Sequence, residues 1–130
     1  MKIIIKVTVA SIGGFLGDFL GGLDGLIYLL IIFIVLDYIT DVMVAVVNKK
    51  LSSKIGFRGI FKKISILLLV ALCHALDTYL LKSNSTIKTA VILFYLSNEG
   101  ISLLENYTAI GLPVPKKIKD ILKQLKGNEE

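Results

Sequence analysis

Residues 26–47 read LIYLLIIFIVLDYITDVMVAVV, with charge only at Asp37 and Asp41. A helix needs about 20 apolar residues to cross a hydrocarbon core of ~30 Å, so this stretch points to a membrane helix before any motif is considered. The rest of the chain agrees. Of 130 residues, 55% are hydrophobic and 19% charged, mean hydropathy is +0.78, and there is no tryptophan. Soluble domains sit near 45–50% apolar with about a quarter charged, and a core of this size could not hide the excess. Three further stretches are long enough to matter, giving an all-α membrane protein with four transmembrane helices at about 3–22, 26–47, 64–81 and 87–107. The chain reads as one domain over 1–130, with a tail from 113 to 130. The first span is interrupted by Lys6, Asp18 and several glycines, and an interfacial helix is the alternative there. Its opening is like a signal peptide, but it runs long, lacks a small-x-small cleavage site and leads straight into another span, so it is expected to be retained.

Fifteen Lys and Arg face ten Asp and Glu, a net charge of +5, and the basic residues are clustered. Lys49, Lys50, Lys54, Arg58, Lys62 and Lys63 lie in a stretch taken as a loop, 48–63, and Lys116, Lys117, Lys119, Lys123 and Lys126 lie in the tail. Clusters flanking apolar runs suit anionic lipid headgroups better than nucleic acid. They also place the loop and both termini on the cytoplasmic side. A single cysteine, Cys73, excludes an internal disulfide and any cysteine-based metal site, and it reads as a small buried hydrophobe.

Within the first span, Gly13, Gly17 and Gly21 recur every four residues and share a helix face. That pattern permits close helix–helix approach, within the chain or between copies; the bland alternative is a weak, flexible segment. Asp37, Asp41, Asp77, Glu99 and Glu105 fall inside spans, with Asn98 beside them and His74 as the one cation expected at depth. An intramembrane charge costs about 2.5–3.5 kcal/mol on insertion scales. Counting helical rise from the expected span ends puts Asp37, His74 and Glu99 at one depth near the midplane, with no lysine or arginine to pair with them. The acids must then be protonated or face water in an assembly, unless they only hold the bundle together. His74 with Asp77 is too few ligands for zinc, so no metal and no cofactor are expected. No nucleophile elbow, phosphate loop or HExxH pattern occurs, which argues against an enzyme.

The tail, Pro113-Val114-Pro115 followed by KKIKDILKQLKGNEE, places Ile118, Ile121, Leu122 and Leu125 on one stripe with lysines opposite. A short basic amphipathic helix is expected to lie on the inner leaflet, the alternative being a solvated tail.

Three blocks carry a family likeness: LDYITDV at 36–42, SSKIGFRGIFKKI at 52–64, and FYLSNEGISLLENYTAIGLPVPKKIKDILKQLK at 94–126. With these the chain resembles the phage holin family, which includes holin-like proteins encoded beside clostridial toxin genes. Asp37, Asn98, Glu99, Glu105 and Asn106 match its motifs, while Asp41 stands where the family often has glycine. The resemblance implies a homo-oligomer in the bacterial cytoplasmic membrane that opens lesions for an endolysin or a toxin, without stable binding of that cargo and without catalytic residues. A small ion-selective channel or transporter, and a non-conducting antiholin-like regulator, are the rival readings.

Overall fold

The computed structural model describes residues 1–22 and 24–127, with side chains described through Gln124; residues 128–130 of the tail, and the side chains of Leu125 and Lys126, lie outside the described part. All regular elements among the described residues are helical: α1 (Lys2–Phe19), α2 (Gly25–Val47), α3 (Ser53–Ala75), α4 (Thr86–Ile110) and α5 (Lys116–Gly127), with a π-helical turn, Leu76–Leu80, continuing α3. Three helices are long and apolar enough to cross a membrane: Gly25–Val47, Ser53–Leu80 and Thr86–Ile110. α1, the expected first span, is not among them; its 18 residues include Lys2, Lys6 and Asp18.

α4 is the axis of the bundle. α2 turns Ile27, Leu30 and Ile34 toward it and α3 turns Ile66, Val70 and Ala71, and these close with Ile92 and Leu96 into one apolar core that also takes in Leu20. Buried positions on α2 run 27, 30, 34, 37 and 40, the spacing of a single helical stripe. The remaining faces carry exposed Ile, Leu, Val and Phe, as expected of helices whose outer solvent is lipid. Cys73 is buried, with a free thiol.

The largest departure from expectation is the start of the third helix. The basic loop is only 48–52 long, because α3 begins at Ser53, where the Ser52 hydroxyl accepts from the Ile55 N–H at 3.2 Å. Lysine and arginine are good helix formers, so the charges at 54–63 decorate a helix without ending it. Gly56 and Gly59 serve packing here. The Tyr38 ring lies 3.5 Å from where a Cβ on Gly59 would be, and its hydroxyl is 3.5 Å from the Gly56 carbonyl.

Helix ends explain several residues whose roles looked different in the sequence. Gly21 (φ 89°) and Gly22 end α1, with Gly22 N–H on Gly17 O and Gly21 N–H on Asp18 O. This is the Schellman arrangement, so Gly21 terminates the helix and does not extend the small-residue face. Gly111 (φ 103°) does the same for α4. At the start of α4, Ser85 is left-handed and offers no side-chain cap. Asp77 caps it from the π-helical turn: Oδ1 accepts from Ile87 N–H at 3.2 Å and from the Ser83 hydroxyl at 2.8 Å, and Oδ2 accepts from Lys88 N–H at 2.8 Å. Asp77 therefore joins two spans at one end of the bundle.

α5 also departs from expectation. It folds back along α4 after the Pro113–Pro115 turn, and Leu122 is buried against Gly100, where a Cβ would come 2.8 Å from Leu122 Cδ2 and 3.1 Å from Phe33 Cε2. Ile118 and Ile121 stay exposed, so only part of the apolar stripe is used on the bundle.

Asp77→Ala should leave two α4 amides uncapped and cost about 1–2 kcal/mol, read as faster hydrogen exchange at Ile87 and Lys88 in detergent micelles. Gly100→Leu should expel Leu122 and free α5, so trypsin should cut within 116–123 several-fold faster while the three long helices stay protected.

Candidate functional site

Four charged residues within the spans, Asp37, Asp41, Lys63 and Glu99, meet in one layer. Lys63 Nζ donates to Asp37 Oδ2 at 2.7 Å and to Glu99 Oε2 at 3.0 Å, and Asp41 Oδ2 lies 3.9 Å away. Each long helix contributes. Asp37 is ten residues from Val47, Lys63 ten from Ser53 and Glu99 eleven from Ile110, so by helical rise all three sit about 15–16 Å in from the same end. Lys63 was expected among headgroup-facing basics and no lysine or arginine was expected beside the acids. Starting α3 at Ser53 overturns both expectations by turning Lys63 inward. The same shift separates His74 from the acids: it lies eleven residues beyond Lys63, about 16 Å along the axis.

Asn106 completes the layer. Its amide nitrogen is 3.0 Å from Asp37 Oδ1, 2.8 Å from Thr40 Oγ1 and 2.8 Å from Asp41 Oδ1, three acceptors sharing two hydrogens. The Thr40 hydroxyl lies 2.9 Å from Leu36 O and 3.0 Å from Asp37 O. Both Asp37 oxygens are thereby engaged, and no buried side-chain nitrogen or oxygen among the described residues lacks a partner. Asp37 and Glu99 are almost wholly covered, whereas the Asp41 side chain is 46% exposed. In a low-dielectric interior a buried charge is tolerable only when paired and hydrogen-bonded in this way.

Other candidate residues are placed elsewhere. Asn98 lines a cleft of about 1350 Å³ between α3 and α4. Glu105 faces a separate cleft, between α4 and α5, with Lys119 and Lys123. Lys49, Lys50, Lys54, Arg58 and Lys62 are exposed near the basic end, as are Lys116, Lys117, Lys119 and Lys123 on α5. At the opposite end, Lys88 is buried and its Nζ lies 3.4 Å from Gly21 O, a cation against the carbonyl end of α1. His74 flanks the same glycine: a Cβ on Gly21 would run into the His74 ring. Gly17 is buried, but Gly13 has no atom within 4 Å of where its Cβ would be. Among the described residues no group of three His, Cys, Asp or Glu could hold a metal.

Lys63 and Asn106 are the residues whose importance the sequence hid. Lys63 was grouped with its charged neighbours, although it falls at i−3 and i−7 from the core positions Ile66 and Val70. Asn106 appeared only as part of a motif. Lys88, one turn into α4, carried no signal of burial.

A small all-helical protein with three membrane-length helices tied by an internal ion layer is a membrane-embedded bundle. Residues 14–127 match the bacteriophage holin family, and the chain belongs to that family. It is 51% identical over 73 residues to an uncharacterised protein of Listeria monocytogenes, covering 56% of this chain and 51% of that one. It is 44% identical over 82 residues to an uncharacterised 14.9 kDa protein from the nagH 3′ region of Clostridium perfringens, covering 63% and 62%. An uncharacterised Bacillus subtilis protein is 34% identical over 82 residues, covering 63% and 58%. The chain thus spans about half the length of the Listeria relative and somewhat more of the others. No solved structure matches.

Lys63→Met should strand two buried carboxylates and cost about 3–5 kcal/mol, lowering the unfolding midpoint in detergent. Adding Asp37→Asn and Glu99→Gln should recover most of the loss. A single variant as stable as the parent chain would show that the ion layer does not hold the bundle.

Proposed function

We propose that this chain is a holin: copies insert in the bacterial cytoplasmic membrane, associate, and open a lesion through which an endolysin or a toxin crosses. Family membership supplies the class. The observation that carries the assembly step is α1. Its apolar side chains, among them Ile4, Val9, Ile12 and Phe15, are exposed, and Gly13 and Gly14 stand open. Only its carboxyl end is docked, through Gly17 and Leu20. A bundle of three long helices is too slim to enclose a passage for a folded protein. Passage therefore has to come from association, and an unpartnered helix with an open glycine surface is suited to pack against another copy.

Orientation follows from charge. The end bearing 48–62 and α5 faces the cytoplasm under the positive-inside rule, so α2 begins on the outer side. α1 is about 27 Å long by helical rise, close to the core thickness. Crossing would put Lys2 and Lys6 with the other basic residues and make a fourth span with both termini inside.

Gly13→Leu is the clean test, because nothing in the protomer occupies that space. The variant and the parent chain would be expressed at equal membrane levels in a bacterium holding a leaderless cytoplasmic reporter enzyme, with membrane potential followed alongside. The parent chain should depolarise the cell abruptly and release the enzyme, and Gly13→Leu should delay release severalfold. Depolarisation without release would replace this reading with a small ion channel. Neither event would replace it with a regulator.

A further inference from the structure

The cleft of about 1350 Å³ between α3 and α4 is larger than the roughly 300–1,000 Å³ of ordinary small-molecule sites, and its lining changes character along its length. Toward the basic end stand Lys54, Arg58 and Lys62, at i, i+4 and i+8 on one stripe of α3. Farther along are Leu69 and Tyr95, beyond the ion-layer residues Asp37, Lys63 and Glu99, which also line the cleft. Phe57 and Phe61, also at the cleft, stack with ring centroids 6.5 Å apart. All three cations are exposed, and among the described residues no carboxylate lies within 4 Å of them; the acids of the layer are taken by Lys63. Arg58 to Leu69 spans eleven residues, about 16 Å of rise, the depth of one leaflet of a ~30 Å core.

We propose that this cleft seats one anionic phospholipid of the basic-side leaflet, its phosphate held by Arg58 and Lys62 with Lys54 beside them, and an acyl chain lying past Phe61 toward Leu69 and Tyr95. Charge complementarity selects the occupant. A helix of a second copy would need acids to face this trio, and a zwitterionic lipid would leave the cations unneutralised. Arginine contributes a planar fork suited to phosphate, and the apolar end of the cleft gives the chain a fixed wall. The assignment concerns a site on the single protomer and stands apart from lesion formation.

The test uses the full chain purified in a neutral detergent, with retained lipid counted by native mass spectrometry during titration with phosphatidylglycerol or phosphatidylcholine. One phosphatidylglycerol per protomer should be retained, at least tenfold more tightly than phosphatidylcholine. Arg58→Gln with Lys62→Gln should weaken it by about thirtyfold, whereas Lys116→Gln with Lys117→Gln, an equal loss of charge, should change it less than twofold. Ser65→Trp, which fills the cleft without touching charge, should also abolish retention. Both arginine/lysine and tryptophan variants alter exposed side chains, and unchanged helicity and unfolding midpoints would confirm that they fold. Equal loss in the tail variant would overturn the site in favour of diffuse attraction. Equal retention of phosphatidylcholine, or equally tight binding of free glycerol phosphate, would overturn the lipid assignment. Dimers that exclude lipid from the cleft would give the surface to a second copy.

Discussion

The Lys63 ammonium, 2.7 Å from Asp37 and 3.0 Å from Glu99, is the interaction on which the bundle's register depends. It ties α2, α3 and α4 at one depth, and it can do so only if α3 has already run for ten residues before reaching it. Sliding α3 by one turn would move Lys63 about 5 Å along the axis and leave two carboxylates facing each other in a medium that cannot hydrate them. Apolar packing alone offers no such penalty, because lipid solvates Leu and Ile as well as a neighbouring helix does. In this protein the core supplies contact area and the ion layer supplies position.

The two ends of the bundle are fixed by different chemistry. At the basic end the links are short and helices terminate on backbone motifs, with Lys49 accepting a left-handed conformation to close α2. At the other end Asp77 gives both carboxylate oxygens to the start of α4, and buried Lys88 faces the last carbonyls of α1. That second contact joins the burial of Gly17 and Leu20 in docking the end of α1. A helix held by its final turn keeps its orientation relative to the spans open to the membrane and to other copies, while the spans themselves stay in register.

The sequence made the spans of α2 and α4 legible because unbroken apolar runs have few alternatives at that length. It also pointed to the acids, since charge inside such runs is costly and therefore meaningful. It misplaced their partner for a reason that follows from helix geometry. Depth was counted from the first apolar residue, Ile64, whereas the helix begins at Ser53, and an eleven-residue error moves every residue of α3 by about 16 Å. His74 was brought to the acids by that error and Lys63 was removed from them. The cap from Asp77 was invisible because the residue lies ten positions before the amide that donates to it, Ile87 N–H, across a reversal of the chain. The fold-back of α5 was hidden for a different reason: an amphipathic stripe states that one face is apolar, and a lipid surface and a neighbouring helix satisfy it equally.

Leu122 shows how the bundle chose between those two covers. Its seat exists because position 100 is glycine, which lets the α5 side chain reach α4 beside Phe33. Ile118 and Ile121 are left exposed, together with the lysines of the opposite face. Among the described side chains of α5, Leu122 alone is buried in the groove, and apolar and cationic surface is left free. α1 is fastened comparably, by its last turn alone. The chain combines a core whose charges are internally satisfied with two peripheral helices whose apolar surfaces are not. The proposed association of copies would draw on the periphery without requiring the ion layer to open first.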